Sequence, residues 1–472
     1  MRVMKFGGTS VGDAQRIAAV ADIIAGSQDK KLVVVVSAMS GVTNSLIEGA
    51  RMAAEGQDNA YRAIKAKLLD RHLRVINELL ANSPEKLEVT GYVEDRLHDF
   101  ERLCRSIAVL GELTARGLDA VAAIGEHLSS PILAALLRAR GLRAEYVSAT
   151  TLIVTNDKFG AADPLMDKTC SHVQERLLPL LERGIIPVVT GYVGATADGV
   201  TTTFGRGTSD YTATILGACV LADEVWIWTD VDGILTADPK IVPQARVLSE
   251  LSYVEAAELA YFGAYVLHPK TIKPVAEKSI PLRIVNSFNP THPGTLIVEK
   301  PSAARRDMAA IISTKGLSLV VVAGGGGNWT PQVAARALQR LADAGVEVLM
   351  FSQSFSERNL NLVVQREDQE HCLRVLGREL ESDLRVGTIA RLSVQEQVAT
   401  VSVVGAPGKD EPIVVPKAFA ALGKQGTRVI LVAQAASEYN VTFVVPESDV
   451  DNVVRFIHRE LALGENGSEA RR

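Results

Sequence analysis

The sequence predicts an α/β protein: a mostly parallel β-sheet covered by helices on both faces, followed by a duplicated strand–helix–strand–strand–helix module. Short apolar strands alternate with helices of ordinary length over the first 300 residues, which implies parallel strands joined by helical crossovers. The last third then matches itself at a constant offset of 81 residues, so that Gly324 falls on Gly405 and Gln353 on Gln434. An ungapped repeat of this kind indicates two copies of one structural unit.

The first elements follow from apolar spacing. Val3–Phe6 reads as a short strand that ends at two glycines, and a helix with an apolar face around Ile17–Ile24 is expected to follow. Leu32–Val36 is a continuous β-branched and leucine run, which is typical of a strand buried on both faces. Residues 54–142 are rich in helix-forming patterns and end at a strand predicted over Ala144–Val147.

Strands and helices then alternate again. The predicted strands are Ile185–Val189, Glu224–Trp228 and Leu282–Val285, and the predicted helices begin near Asp210 and span Val254–Tyr261. We assign residues 1–300 to the first domain, with a linker over 301–307. The two repeats are assigned to residues 308–385 and 396–464, and the polar segment 465–472 is expected to be a disordered tail.

Composition excludes several classes of protein. A net charge of -5, with 22% charged and 47% apolar residues, gives no basic footprint for nucleic acid. We see no run of about 18 apolar residues, and we expect no membrane span. The four cysteines form no metal-ligand spacing, so we expect scattered reduced thiols, no metal site of the protein's own and a cytoplasmic location: Cys104, Cys170, Cys219 and Cys372.

Two segments of the sequence are suited to binding phosphate. Lys5 precedes Gly7 and Gly8 at a strand end, where backbone amides can approach a phosphate closely and a lysine can neutralise it. Thr229 and Asp230 leave another strand at the edge of the sheet where ligands of open α/β folds bind. Taken alone, each segment is equally consistent with an ordinary turn.

Three further residues have the chemistry of an amino-acid site. Arg206, between two glycines, can bind a carboxylate through two hydrogen bonds from its guanidinium group. Asp210 follows at a predicted helix start, where it is either functional or a cap. Glu126 lies in an apolar helical stretch; it either faces solvent or is buried, and a buried carboxylate needs a cation such as a substrate ammonium group.

Together the motifs resemble one family, the aspartate kinases of the amino-acid kinase superfamily, followed by paired ACT domains. The resemblance rests on motifs that span nearly the whole first domain: KFGGTS at Lys5–Ser10, VVSAMSGVTN at Val35–Asn44, GExxSS at Gly125–Ser130, FGRGTSD at Phe204–Asp210, WTDVDGILTADP at Trp228–Pro239 and Leu267–Pro269. It implies an amino-acid kinase fold with two ferredoxin-like ACT domains, and transfer of phosphate from MgATP to the side-chain carboxylate of L-aspartate.

The resemblance also implies roles for individual residues. Lys5, Arg206 and Asp210 are implied in catalysis, and a partly overlapping set of residues is implied in ligand binding. For aspartate these are Ser37, Thr43, Glu126 and Arg206; for ATP they are Lys5, Gly7, Gly8, Thr229, Asp230, Leu235 and Lys240. The nucleotide side departs from many relatives, since Leu235 stands where Tyr is common, Lys240 where Arg is common, and Tyr265 where Lys is common.

Two other functions compete with this prediction. One is a kinase of the same superfamily that acts on glutamate, acetylglutamate or a nucleoside monophosphate, against which the KFGGTS motif and the repeats speak. The other is a catalytically weak binding protein, which only Tyr265 motivates. The absence of a dinucleotide fingerprint leads us to expect no dehydrogenase domain.

The repeats imply feedback control by an amino acid bound where two ACT modules meet. Gln353 and Gln434 occupy equivalent strand-end positions and are the predicted effector contacts, with local backbone pairing as the alternative. Leu349 stands where lysine-sensing relatives often carry aspartate, which favours threonine over lysine as the effector. ACT pairs in this family also form dimer interfaces, so a homodimer is expected.

Overall fold

The computed structural model describes residues 1–29, 31–205, 207–261, 267–302, 309–325, 331–354, 358–405, 414–434, 440–461 and 463. Arg206, Tyr265, most of the predicted linker and the tail 465–472 lie outside the described residues. The chain divides into two compact units. The first comprises Met1–Ile234, Val247–Ala257 and Tyr265–Ser302, and the second Leu235–Arg246, Glu258–Ala264 and Ala303–Arg472.

The first unit is built on an eight-stranded sheet in the order β3-β5-β2-β1-β8-β10-β11-β9. Its neighbouring strands are parallel except β10 and β11, which confirms the predicted mostly parallel sheet. Strands β4, β6 and β7 form a separate small sheet. The strands are β1 (Arg2–Phe6), β2 (Leu32–Val36), β3 (Ala144–Val147), β4 (Val154–Thr155), β5 (Ile186–Thr190), β6 (Val193–Thr196), β7 (Thr201–Thr203), β8 (Glu224–Thr229), β9 (Glu250–Ser252), β10 (Leu282–Asn286) and β11 (Thr295–Val298).

Helices connect these strands, as the alternating pattern predicts. They are α1 (Ala14–Ala25), α2 (Val42–Ala54), α3 (Asp58–Leu79), α4 (Glu85–Leu110), α5 (Ala115–Ala122), α6 (Ile124–Ala139), α7 (Met166–Glu182), α8 (Ser209–Val220), α9 (Tyr253–Tyr261) and α10 (Pro269–Ala276). The helix predicted after the glycine pair is confirmed as α1, which begins at Ala14. Asp13 caps it by accepting a hydrogen bond from the amide of Arg16 at 2.8 Å.

The stretch Ala115–Ala139 is long and apolar enough to cross a membrane by length and composition, although no such run was expected. In the fold, 89% of its most apolar 18-residue window is buried. Its apolar side chains pack in the main core, where Leu128 and Leu133 are fully buried. The stretch therefore has the burial of a core helix.

The cysteine prediction was wrong for one pair. Cys170 on α7 and Cys219 on α8 are joined by a disulfide bond, whereas Cys104 and Cys372 are free and buried. The spacing of 49 residues between the bonded pair gave no signal, because only the packing of α7 against α8 brings the two side chains together.

The second unit contains both repeats and confirms the predicted element order in each. The first copy is β12 (Ala309–Gly324), α11 (Pro331–Asp343), β13 (Val348–Ser354), β14 (Asn359–Gln365) and α12 (Gln369–Glu379), followed by a short α13 (Glu381–Arg385). The second is β15 (Ile389–Gly405), α14 (Val414–Gln425), β16 (Leu431–Gln434), β17 (Asn440–Pro446) and α15 (Val450–Glu460). The 81-residue offset maps β14 onto β17 and α12 onto α15 residue for residue.

The two copies share one six-stranded sheet, in the order β13-β14-β12-β15-β17-β16. The long strands β12 and β15 pair along their whole length, with shifts in register between Thr314 and Leu319. The second half of β12 pairs with β14, and the second half of β15 pairs with β17. Each repeat is therefore completed by the first half of the other repeat's long strand.

A segment that the sequence pattern places in the first domain packs in the second unit. Residues 235–246 contribute Ala237, Ile241 and Val242 to the core beneath α14 and α15. Thr236 contacts the imidazole of buried His458 at 3.0 Å, and the amide of Ile311 donates to the carbonyl oxygen of Thr236 at 2.8 Å. The segment that follows Asp230 in the chain is thus part of the core of the second repeat.

Candidate active site

The centre of the site is an ion pair between Lys5 and Asp210. Lys5 is the fourth residue of β1 and Asp210 lies in the first turn of α8. The Nζ atom of Lys5 lies 2.5 Å from Oδ1 of Asp210, and both side chains are about nine-tenths buried. At this depth each charge needs the other, so the pair fixes the lysine at the carboxyl end of its strand.

Register explains why distant segments meet here. Strand β1 lies between β2 and β8, all three parallel, and Phe6 is opposite both Val36 and Trp228. Parallel strands end at the same edge of the sheet, so the residues that follow each strand converge. The amide of Ser37 donates to the carbonyl oxygen of Phe6 at 3.1 Å, which ties the segment after β2 to the end of β1.

The glycine turn after β1 is in place, although its two amides are not equivalent. The amide of Gly7 donates to the carbonyl oxygen of Trp228 at 3.1 Å, so it is already engaged. A Cβ atom at Gly8 would lie 2.8 Å from the carbonyl oxygen of Ala38, so only glycine allows this approach. The described residues include no backbone acceptor for the amide of Gly8, so of the two predicted phosphate contacts Gly8 has the available amide and Gly7 shapes the turn.

The predicted aspartate-binding hydroxyls lie on the same side. Ser37 is buried, and its Oγ donates to Oγ of Ser209 at 2.8 Å, one residue before Asp210. Ser129 on α6 donates to the carbonyl oxygen of Ser37 at 2.7 Å. Thr43 lies in the first turn of α2 and is half-buried. Neither Ser209 nor Ser129 was assigned an individual role from sequence, although both lie in motifs that carry the family resemblance.

Glu126 is buried, which decides between the two sequence alternatives. It lies in the first turn of α6 and is 4% exposed. A Cβ atom at neighbouring Gly125 would lie 2.8 Å from Cβ of Ala38 and 3.0 Å from Oγ1 of Thr43, so glycine lets α6 approach the segment after β2. The carboxylate of Glu126 accepts a hydrogen bond from the backbone of Ala38.

The carboxylate of Glu126 is incompletely satisfied. Its Oε2 atom is buried and has no hydrogen-bond partner among the residues that the structure describes. Burial raises the pKa of Glu126 to about 8, while the hydrogen bond from Ala38 and the charge of Lys5 act in the opposite direction. A buried carboxyl group with an unpaired oxygen is costly unless a cation or a donor meets it. The carboxylate of Glu126 is therefore suited to pair with a cationic group of a ligand.

Thr229 and Asp230 lie where the sequence predicts, at the end of β8. Thr229 Oγ1 donates to Oδ1 of Asp230 at 3.3 Å, and Asp230 is exposed. Leu235 and Lys240 belong to the second unit, with Leu235 half-buried and Lys240 exposed. Within the described part of the chain, no group of three or more His, Cys, Asp or Glu residues could hold a metal ion.

Two sets of predicted contacts remain predictions. Arg206 lies outside the described residues, although its neighbours Gly205 and Gly207 both have positive φ angles, of 98° and 74°. In the repeats, Gln353 is the last residue but one of the edge strand β13, and Gln434 is the last residue of the edge strand β16. The Nε2 atom of Gln353 is buried without a hydrogen-bond partner in the described part of the chain, whereas Gln434 is exposed.

These features define a class of protein: an α/β fold that holds a lysine and a free amide for a phosphate beside a buried carboxylate for a cationic ligand. Comparison with known families agrees. The model described as the amino acid kinase family matches residues 1–286, and an ACT-domain model matches residues 320–380 and 401–461.

Similar proteins include Aspartokinase 1, chloroplastic, from Arabidopsis thaliana, which is 33% identical over 97% of this chain and 79% of the relative. The Bifunctional aspartokinase/homoserine dehydrogenase 2, chloroplastic, from the same organism is 32% identical over 98% of this chain. The chain spans 50% of that relative's length, as it does for the other bifunctional relatives that head the comparison. The chain belongs to the amino acid kinase family and, within it, to the aspartokinases.

Solved structures agree with this assignment. E. coli aspartokinase III in complex with aspartate and ADP, described as the R-state, has a TM-score of 0.79 at 28% identity and covers 98% of this chain and 100% of that chain. The same enzyme in complex with lysine and aspartate, described as the T-state, has a TM-score of 0.76 at 28% identity, covering 98% and 99%.

Proposed function

We propose that this chain is an aspartate kinase, which transfers phosphate from MgATP to the side-chain carboxylate of L-aspartate and releases 4-phospho-L-aspartate and ADP. The reaction is the first step of lysine, threonine and methionine biosynthesis. The observation that carries the proposal is the unpaired, buried carboxylate oxygen of Glu126 beside the Lys5–Asp210 pair. The aspartate and ADP bound in the E. coli relative support the choice of substrate.

The residues divide the chemistry between them. Lys5 stabilises the negative charge of the transferring phosphoryl group, and Asp210 holds the lysine in place. Glu126 receives the substrate ammonium, and Arg206 is assigned to its α-carboxylate. The attacking carboxylate is ionised at neutral pH and is already a nucleophile, so the site needs no strong general base.

The residues on this side suit a nucleotide that binds together with its Mg²⁺ ion. Lys5 and the amide of Gly8 lie at one turn, next to Thr229 and Asp230 at the neighbouring strand end. Mg²⁺ on a nucleotide takes most of its ligands from phosphate and water and needs one or two carboxylates from the protein. Asp230 is the exposed carboxylate assigned to that side, with Leu235 and Lys240 as further proposed ATP contacts.

The activity itself is tested by trapping the acyl phosphate with hydroxylamine. Purified protein, MgATP and L-aspartate should give aspartyl hydroxamate in a time-dependent way, and omission of ATP should abolish it. Parallel reactions with glutamate and acetylglutamate should give no more hydroxamate than background. A nucleoside monophosphate, whose product would be a phosphoanhydride that hydroxylamine does not trap, should give no more ADP than background in a coupled assay of ADP release. Turnover of one of these in preference to aspartate would replace the proposal with another kinase of the family.

Replacing Arg206 with alanine should raise the aspartate KM about 100-fold, because a paired guanidinium–carboxylate contact is lost. The ATP KM should change less than about threefold. Steady-state kinetics with each substrate varied in turn measures both values, and Arg206→Lys, which keeps the charge without the planar fork, serves as the control. Equal losses for both substrates would contradict the assigned role.

We further propose that the ACT domains bind a feedback effector, threonine or lysine, through Gln353 and Gln434. The unpaired Nε2 of Gln353 supports the first contact, and lysine bound to the T-state relative supports an amino-acid effector. Calorimetry with threonine, lysine and methionine should show micromolar to millimolar binding of one of them. Gln353→Ala should weaken that binding by about tenfold, more than Gln434→Ala, since Gln353 is the less exposed of the two.

A homodimer through the ACT domains and a cytoplasmic location complete the proposal. Phe351 and Val432 occupy equivalent positions of the edge strands β13 and β16 and are 57% and 36% exposed, which suits an apolar contact between copies. Sedimentation analysis should show a dimer that Phe351→Lys weakens. Thiol titration of protein isolated under non-reducing conditions would show whether Cys170 and Cys219 stay bonded in the cell.

A further inference from the structure

Asp119 is a buried carboxylate that the proposed chemistry does not use. It lies on α5 and is 2% exposed. Its Oδ2 atom accepts hydrogen bonds from the amides of Gly160 at 2.9 Å and Thr203 at 3.0 Å, and its Oδ1 atom accepts from Oγ1 of Thr203 at 2.6 Å. The salt bridges of the described residues do not include Asp119, so backbone amides and one hydroxyl satisfy it.

These hydrogen bonds join two loops. Thr203 is the last residue of β7, and Gly160 belongs to the turn before α7. The amide of Ala162 donates to the carbonyl oxygen of Thr203 at 2.9 Å, and the carbonyl oxygen of Gly160 lies 3.5 Å from where a Cβ atom of Gly205 would stand. The segment that leads from β7 to α8 is therefore held against the turn at Gly160 through Asp119.

The segment ends at the ion pair of the site. Oγ1 of Thr208 donates to the carbonyl oxygen of Gly205 at 2.5 Å, and α8 begins at the next residue. Its first two residues are Ser209, which receives the hydrogen bond from Ser37, and Asp210, which pairs with Lys5. In the other direction, α5 runs through Ala123 into α6, where Glu126 lies seven residues after Asp119.

We propose that Asp119 is a positioning residue for substrate binding, which fixes the start of α8 relative to Glu126. A buried carboxylate is a costly way to gain stability, since an apolar side chain of similar volume serves as well. What the carboxylate provides is fixed geometry between the start of α8, where Ser209 accepts the hydrogen bond from Ser37, and the segment that holds Glu126. This inference rests on the proposed function, and it assigns Asp119 to aspartate binding and not to phosphoryl transfer.

Asp119→Asn should raise the aspartate KM by about 10- to 30-fold, because one of the two oxygen acceptors becomes a donor that faces an amide or a hydroxyl. The ATP KM should stay within about threefold of wild type, and kcat should fall by a smaller factor than the aspartate KM rises, because the ion pair with Lys5 still holds Asp210. A matched pair at Thr203 keeps the test independent of how well the Asp119 variant folds. Thr203→Val removes only the hydroxyl and should raise the aspartate KM about tenfold, while Thr203→Ser keeps it and should stay within about twofold.

Two results would overturn the inference. One is a lowered melting temperature with unchanged aspartate KM in Asp119→Asn and Thr203→Val, which is the signature of a purely structural residue. The other is unchanged hydrogen exchange at the amides of Gly160 and Thr203 in Asp119→Asn, since loss of the acceptor should speed it at least tenfold. The exchange measurement needs no substrate, so it still tests Asp119 if wild-type protein fails to phosphorylate aspartate.

Discussion

Lys5→Met should lower kcat about 10³- to 10⁴-fold, since the lysine is the cation placed where charge develops during phosphoryl transfer. Binding of aspartate, measured by calorimetry without nucleotide, should change much less. The assay is aspartyl hydroxamate formation at saturating MgATP and aspartate. Lys5→Arg is the conservative control and should recover only part of the rate, because a planar guanidinium does not reproduce the position of a compact ammonium.

Because Lys5 is paired with Asp210, the single variant Lys5→Met also lowers folding stability. Removing Lys5 leaves Asp210 buried and unpaired, which costs about 3–5 kcal/mol of folding stability. The double variant Lys5→Met/Asp210→Asn removes both charges and should regain most of the melting temperature while remaining inactive. A double variant with kcat within tenfold of wild type would show that the lysine serves stability and not catalysis.

Glu126→Gln should raise the aspartate KM about 100- to 1000-fold, because the substrate ammonium would then be buried without a counter-charge. The same substitution should raise the melting temperature of the free protein, since it removes an ionisable group whose charged form is disfavoured by burial. Opposite signs for stability and substrate affinity are the expected mark of a binding group. Glu126→Asp, which keeps the charge on a shorter side chain, should give a smaller KM effect.

The pH dependence follows from the raised pKa of Glu126, about 8 in the fold against an ordinary 4.5. Between these values the unfolded chain releases the proton while the folded protein keeps it, so this group makes wild type less stable as pH rises. Glu126→Gln lacks the effect. Its stability advantage over wild type should therefore grow from about pH 4.5 to about pH 8, which chemical denaturation at a series of pH values measures.

Substrate affinity should depend on pH in the opposite sense. The ammonium group binds the ionised form of Glu126, so the wild-type aspartate KM should fall about tenfold for each pH unit between about 6 and about 8. Glu126→Gln should show a flat profile over the same interval. A wild-type KM that does not change with pH would place the substrate ammonium elsewhere.

Some parts of this fold depend only on local sequence. The order of strands, the parallel sheet and the repeat depend on local periodicity and on short glycine-containing turns, which neighbouring residues largely determine. Lys5 at the end of β1 and Asp210 at the start of α8 were both assigned correctly to element ends. Their mutual contact was not derivable from spacing, because it needs the sheet to place β1 beside the start of α8.

By itself, the sequence determined the fold class, the family and most of the site's residue types, because these follow from sequence motifs and from the periodicity of apolar residues. Only the tertiary structure decided four matters. They are the burial of Glu126, the engagement of the Gly7 amide, the Cys170–Cys219 bond and the three hydrogen bonds to Asp119. Each depends on atoms that lie far apart in the chain and meet only after packing. No local sequence pattern therefore predicts them.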